Sequence, residues 1–90
     1  VYGHAGDGNI HPSILCDLDK PGEAERVHQA VDDIFAAALD VGGTLSGEHG
    51  IGITKRPYIA NALGDIGIRT LKAVKAALDP KGILNPGKIW

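Results

Sequence analysis

The chain has 90 residues, a formal net charge of −2, 43% hydrophobic residues and 22% charged ones, the range of a folded globular domain. Its single cysteine excludes an internal disulfide and makes a reducing compartment the default, and a chain of this length buries about 60–65% of its extended surface, so its core is modest. No basic run accompanies the one Trp, two Tyr and one Phe, which argues against nucleic acid as a partner, and no apolar stretch approaches the roughly 20 residues of a membrane span.

In chain order, "NIHPSILC" at residues 9–16 contains the β-leaning run Ile14-Leu15-Cys16, which predicts a strand ending near Cys16, with Pro12 marking an edge position or a bulge. In such a strand Cys16 is a small buried residue. "DLDKPGE" is a turn leading into a helix from about Glu23 to Val41. Val27, Val31, Ile34, Ala38 and Val41 form its apolar stripe. Glu23 and Glu25 suit its positive end, Gly42-Gly43 stop it, and His28 falls on its solvated side. "TLS" (44–46) predicts a short strand. Pro57 favours the first turn of a short helical piece, "PYIANAL". A second helix is predicted from about Asp65 to Leu78, with Ile68, Leu71, Val74 and Leu78 inward, ended by Asp79-Pro80. The tail "KGILNPGKIW" is turn-rich and reads as an extended segment lying on another surface.

Thirteen glycines are about twice the usual share of roughly 7%, and they crowd positions 3–8 and 42–52. Each cluster surrounds imidazole and carboxylate: His4, Asp7 and His11 in the first, Glu48 and His49 in the second. On a regular strand residues seven apart face opposite ways, so His4 and His11 can share a ligand only if the chain turns between them, and Gly6-Asp7-Gly8 is turn chemistry. His4, His11 and Glu48 make a usual shell for a divalent ion such as zinc, and His49 is then a candidate acid or base. The plainer reading is that these are ordinary turns carrying surface histidines. Lys55-Arg56 is either an anion site or a wet surface.

Taken together, "GHAGDGNIHP", "GGTLSGEHGIGITK" and "LDPKGILNPGK", in this order, resemble the C-terminal end of FAD-linked oxidases, flavoproteins of the superfamily that includes vanillyl-alcohol oxidase. The catalytic subunit of bacterial glycolate oxidase and the D-lactate and D-2-hydroxyglutarate dehydrogenases share these signatures. The motifs cover about a third of the chain and are specific as a set. The resemblance implies an α+β fold, the C-terminal portion of a ferredoxin-like cap over the flavin, with residues 1–80 in the cap and 81–90 a tail returning to the FAD-binding domain. The chain starts at Val1, has no Met and opens directly on motif, so a piece of a longer protein is expected.

It implies roles as well. His4 and His11 match two metal-binding histidines, Glu48 the third ligand, and His49 the adjacent catalytic base. Asn85 in "NPGK" matches a residue reaching the flavin, with Lys88 in the same motif. Lys55 matches the lysine of the "GIGxxK" pattern, assigned here to substrate. D-2-hydroxyglutarate dehydrogenases tend to carry a substrate-contacting Asn two residues past the second histidine. Ser13 stands there instead, which favours a smaller 2-hydroxy acid, glycolate or D-lactate. The implied reaction makes a 2-oxo acid: a metal polarises the hydroxyl, His49 takes its proton, and hydride goes to FAD. Further subunits including an iron–sulfur protein are implied partners, and a cytoplasmic location, at most peripheral to the inner membrane, is the expectation.

Two other readings compete. One is a stand-alone divalent-metal or hydrolytic module without flavin, which has no evident need of "NPGK". The other is a module that docks onto other subunits. An open strand edge and uncovered helix stripes also predict self-association of the chain alone.

Overall fold

Tyr2 and Ile10 lie on either side of the glycine-rich opening, and the chain doubles back between them. In the computed structural model, which describes residues 1–90, strand β1 (Tyr2–His4) and strand β2 (Asn9–His11) form a two-stranded antiparallel sheet. The register pairs Tyr2 with His11, Gly3 with Ile10 and His4 with Asn9. A 3-10 turn, Ala5–Asp7, joins the strands, and Gly8 closes it with φ 66°, donating its N–H to the Ala5 carbonyl at 3.2 Å. A side chain at that φ costs about 1–2 kcal/mol, so glycine is what permits the reversal.

Helix α1 (Glu23–Asp40), a 3-10 turn at Arg56–Tyr58 and helix α2 (Ile59–Leu78) follow, giving a mixed helix-and-sheet chain. It divides into two compact units, Val1–Ala37 and Ala38–Trp90. Glu23 and Glu25 sit in the first turn of α1, where carboxylates oppose the positive helix end. Gly42 and Gly43 end it as expected, their N–H groups donating to Leu39 and Ala38 carbonyls at 2.9 and 2.8 Å. The partly covered face of α1 carries Val27, Ala30, Val31, Phe35 and Ala38. Phe35 takes the place foreseen for Ile34, which is 37% exposed, and Val41 lies past the helix end at 85%.

The two helical pieces foreseen around residue 64 form, and the helical run Ile59–Leu78 is broken between them. Gly64 has φ 62° and ψ 178°, a conformation essentially confined to glycine. Pro57 sits in the preceding 3-10 turn, where its fixed φ suits a helix start.

Other expectations are overturned. No strand forms at Ile14-Leu15-Cys16: β2 ends at His11, because Pro12 has no N–H to continue the ladder. Cys16 is therefore exposed and not a buried strand residue. "TLS" is irregular, with Leu45 serving as an anchor and not as a strand residue. The tail has the expected turns but is not extended, since Gly82, Asn85, Gly87 and Ile89 all have positive φ and it folds back.

Leu45 and Ile59 are the only hydrophobic side chains that are buried, at 4% and 6% exposure. Leu71, Val74 and Leu78 of α2, all foreseen as inward, are exposed. Full burial of one such side chain stabilises by about 1.5–3 kcal/mol, so two of them hold little, and hydrogen bonds carry much of the local order. Gly64→Ala is expected to destabilise the second unit by about 1–3 kcal/mol, read as a lower urea midpoint for loss of helical circular dichroism. An unchanged midpoint would show that the break at residue 64 is not required.

Candidate functional site

The hairpin answers how two histidines seven apart can face the same way. Side chains alternate along a strand, and directly paired residues share a face. Tyr2 and His11 are paired, and so are His4 and Asn9, so Tyr2, His4, Asn9 and His11 lie on one face, with Gly3 and Ile10 on the other. The Tyr2 and His11 rings stack with centroids 4.5 Å apart and planes at 25°, which fixes the plane of the imidazole. His4 and His11 are diagonal neighbours across the ladder, a spacing of about 7–8 Å between backbones that imidazoles can bridge toward a shared ligand. His4 is exposed and His11 half-buried. Ser13 is exposed just beyond the strand.

In the second unit, the glycine-rich loop carries Glu48 and His49. The His49 Nε2 lies 3.6 Å from the Glu48 Oε1, an ion pair when the imidazole is protonated, and both side chains are more than half exposed. Two anchors shape this loop. Leu45 is buried, and the Lys55 Nζ donates to the Leu45 carbonyl at 2.9 Å, closing the loop across ten residues. The exposed Arg56 donates to the Gly87 carbonyl at 3.5 Å. The Ser46 hydroxyl beside this anchor is covered and has no hydrogen-bond partner.

The tail is held to the same unit. The Ile89 N–H donates to the Gly52 carbonyl at 2.8 Å, so the "GEHGIG" loop and the "NPGK" turn are joined directly. At the end of α2, the Asp79 carboxylate is 7% exposed and accepts from the N–H groups of Ile83 (3.1 Å) and Leu84 (3.0 Å). The Lys75 Nζ bonds the same carboxylate and donates to the Leu84 carbonyl at 2.6 Å. The Lys75 hydrogen bond holds the Asp79 carboxyl below its ordinary value of 3.8, burial pulls the other way, and the Leu84 and Ile83 N–H groups and the lysine charge add to the lowering. Asn85 follows with φ 47°, a left-handed conformation that asparagine tolerates better than most residues. Lys72, Lys75, Asp79, Asn85, Lys88 and Trp90 all line one shallow hollow of about 430 Å³, in which Asp79 is the one carboxylate.

The sequence reading singled out His4, His11, Ser13, Glu48, His49, Lys55, Asn85 and Lys88. The structure brings His4 and His11 onto one hairpin face, Glu48 and His49 onto one loop, and Asn85 and Lys88 onto one hollow. No three His, Cys, Asp or Glu side chains close around a common point. Imidazole and carboxylate are donor types that divalent ions use. Sequence reasoning missed Lys75, Asp79 and Tyr2. The first two stand four apart at a helix end, a spacing that signals an ion pair, whereas nothing in the sequence marks Tyr2 as the ring that stacks on His11.

Residues 1–89 match the family described as FAD linked oxidases, C-terminal domain. The chain belongs to that family. It is similar to glycolate oxidase subunit GlcD of Bacillus subtilis, with 52% identity over the whole chain and 19% of that protein. It is 49% identical to the Escherichia coli K12 protein of the same name over 94% of this chain and 17% of that one. A probable mitochondrial D-lactate dehydrogenase of Danio rerio is 42% identical over 99% of this chain and 18% of its own. The chain thus spans less than a fifth of the length of these relatives.

The low-lying Asp79 carboxyl gives the tail a pH dependence. Because its folded value is depressed, the stability it contributes is complete above the ordinary value of 3.8 and is lost as pH falls through the lower folded value. Fluorescence of Trp90, the one tryptophan, is expected to report release of the tail below about pH 4 and no change from there to neutrality. In Asp79→Asn this acid step should vanish; an identical step in the variant would assign it to other carboxylates.

Proposed function

We propose that this chain is the substrate- and flavin-facing C-terminal part of an FAD-dependent oxidoreductase that converts a small 2-hydroxy acid, glycolate or D-lactate, to the 2-oxo acid. One observation carries the reading: in a chain of this family, the hairpin register sets both motif histidines on one face. The names of its relatives, a glycolate oxidase subunit and a D-lactate dehydrogenase, support the substrate class.

In this reading His4, His11 and Glu48 hold a divalent ion, zinc being the ion this donor set suits. When bound, the metal supplies Lewis acidity toward the hydroxyl and carboxylate of the substrate, and FAD accepts the hydride. His49 takes the α-hydroxyl proton on a ring nitrogen, with Glu48 beside it to stabilise the imidazolium that results. Lys55, anchored on the Leu45 carbonyl, and Ser13 orient the substrate carboxylate. Asn85 and Lys88 contact the flavin from the tail turn.

The hairpin and helices then form the last part of a ferredoxin-like cap, residues 1–80, and 81–90 return to an FAD-binding domain. The exposed apolar residues of α2, Leu63, Ile66, Leu71, Val74 and Leu78, suit burial against further polypeptide, and the chain by itself self-associates through them. Other subunits, an iron–sulfur protein among them, are the expected partners. No helix is long and apolar enough to cross a membrane, and the proposed location is the cytoplasm, at most peripheral to the inner membrane.

Two measurements on the full-length protein test this. His4→Ala and His11→Ala should each lower metal content and activity together, by elemental analysis and turnover; full occupancy in both variants removes the ligand assignment. His49→Gln should keep flavin and metal yet slow single-turnover flavin reduction by ~10²–10⁴-fold, about 3–5 kcal/mol of barrier. A rate within about threefold of the parent, or rescue by excess zinc, leaves His49 as a support for Glu48 and not the base.

A further inference from the structure

We propose that Asp79, with Lys75, is the positioning residue of the "NPGK" turn: its buried carboxylate sets the backbone before Asn85 and so aims Asn85 and Lys88. The proposal rests on the reading above, in which Asn85 faces the flavin. An ordinary helix end leaves its last carbonyls to water or a glycine cap. Here the residue after the helix is a carboxylate almost wholly covered, which is costly unless it is paired and hydrogen-bonded. It is both: the Ile83 and Leu84 N–H groups donate to one oxygen each, and the Lys75 ammonium shares the second.

The same ammonium donates to the Leu84 carbonyl at 2.6 Å. Leu84 is thus held at both its N–H and its C=O, by one ion pair, immediately before Asn85. That double grip fixes both peptide planes of the residue whose orientation decides where Asn85 begins. Asn85 then adopts φ 47°, a conformation an isolated chain populates sparsely. Asp79, Lys75, Asn85 and Lys88 line the same hollow, so the clamp and the groups it aims are one local assembly. A purely structural staple could sit anywhere along the tail; this one acts on the peptide that precedes the proposed flavin contact.

The test is a double-mutant cycle in the full-length holoprotein, read by the rate of flavin reduction and the flavin midpoint potential. Asp79→Asn is expected to slow reduction roughly 10- to 100-fold, the scale of a misplaced contact group, and to shift the potential while flavin stays bound. In an Asn85→Ala background the same substitution should add less than about twofold to the rate and no further shift, because the group it aims is gone. Full additivity of the two effects overturns the clamp as a positioning device. If Asn85→Ala by itself changes neither rate nor potential, the flavin-facing reading of Asn85 fails, and the clamp's function with it. Should Asp79→Asn not accumulate as folded holoprotein, Lys75→Met runs the same cycle from the other side, with Lys75→Arg expected to restore the rate within about threefold.

Discussion

The Asp79 carboxylate is where the end of α2 and the tail become one structure. With two hydrophobic side chains buried, the second unit has no large apolar core to fix its loops. It uses directional bonds instead. A charge-assisted hydrogen bond is shorter and roughly twice as strong as a neutral one, and a carboxylate accepting from an ammonium and two amides constrains three chain positions at once. The bonds from Ile89 to Gly52 and from Arg56 to Gly87 then depend on where that clamp leaves the tail, and through them the loop bearing Glu48 and His49 is tied to the turn bearing Asn85.

The hairpin is a second, separate device built on the same economy. It contains three residues per strand, too few to be stable as an isolated sheet. Its value lies in register. A slip of one residue would send His4 and His11 to opposite faces, and what opposes a slip is the turn chemistry at Gly8 together with the Tyr2–His11 stack. The stack also limits imidazole rotation, which a metal ligand or an acid–base group requires more than a core residue does.

Much of this was legible in the sequence where a single local rule decides the outcome. The start and stop of α1, the break near residue 64 and the need for a turn between His4 and His11 follow from glycine, proline and helical period alone. The strand at Ile14-Leu15-Cys16 was not legible, because β-propensity there loses to the missing N–H of Pro12 and to the lack of a partner strand. "TLS" failed for the same reason: a strand needs a neighbour, and propensity does not supply one. Of the site, the motif residues could be named from spacing and resemblance. Their supports could not, because Lys75, Asp79 and Tyr2 gain meaning only from which main-chain groups and rings the fold brings to them.

The distribution of polar work explains why the motif side chains stand out at the surface. The joints between loop and tail are made from main-chain groups, the Gly52 and Gly87 carbonyls and the Ile89 amide, together with Lys55, Arg56, Lys75 and Asp79. Glu48, His49, Asn85 and Lys88 remain exposed. A scaffold stitched through backbone groups and one buried carboxylate can hold exposed motif side chains in place without covering them. The cost is sensitivity at the stitches, since each rests on one to three bonds with little packed core behind it to take up the load. This favours rigid joints close to the motif residues, and it accounts for an ion pair with a covered carboxylate beside a turn where an apolar contact would have been easier to build.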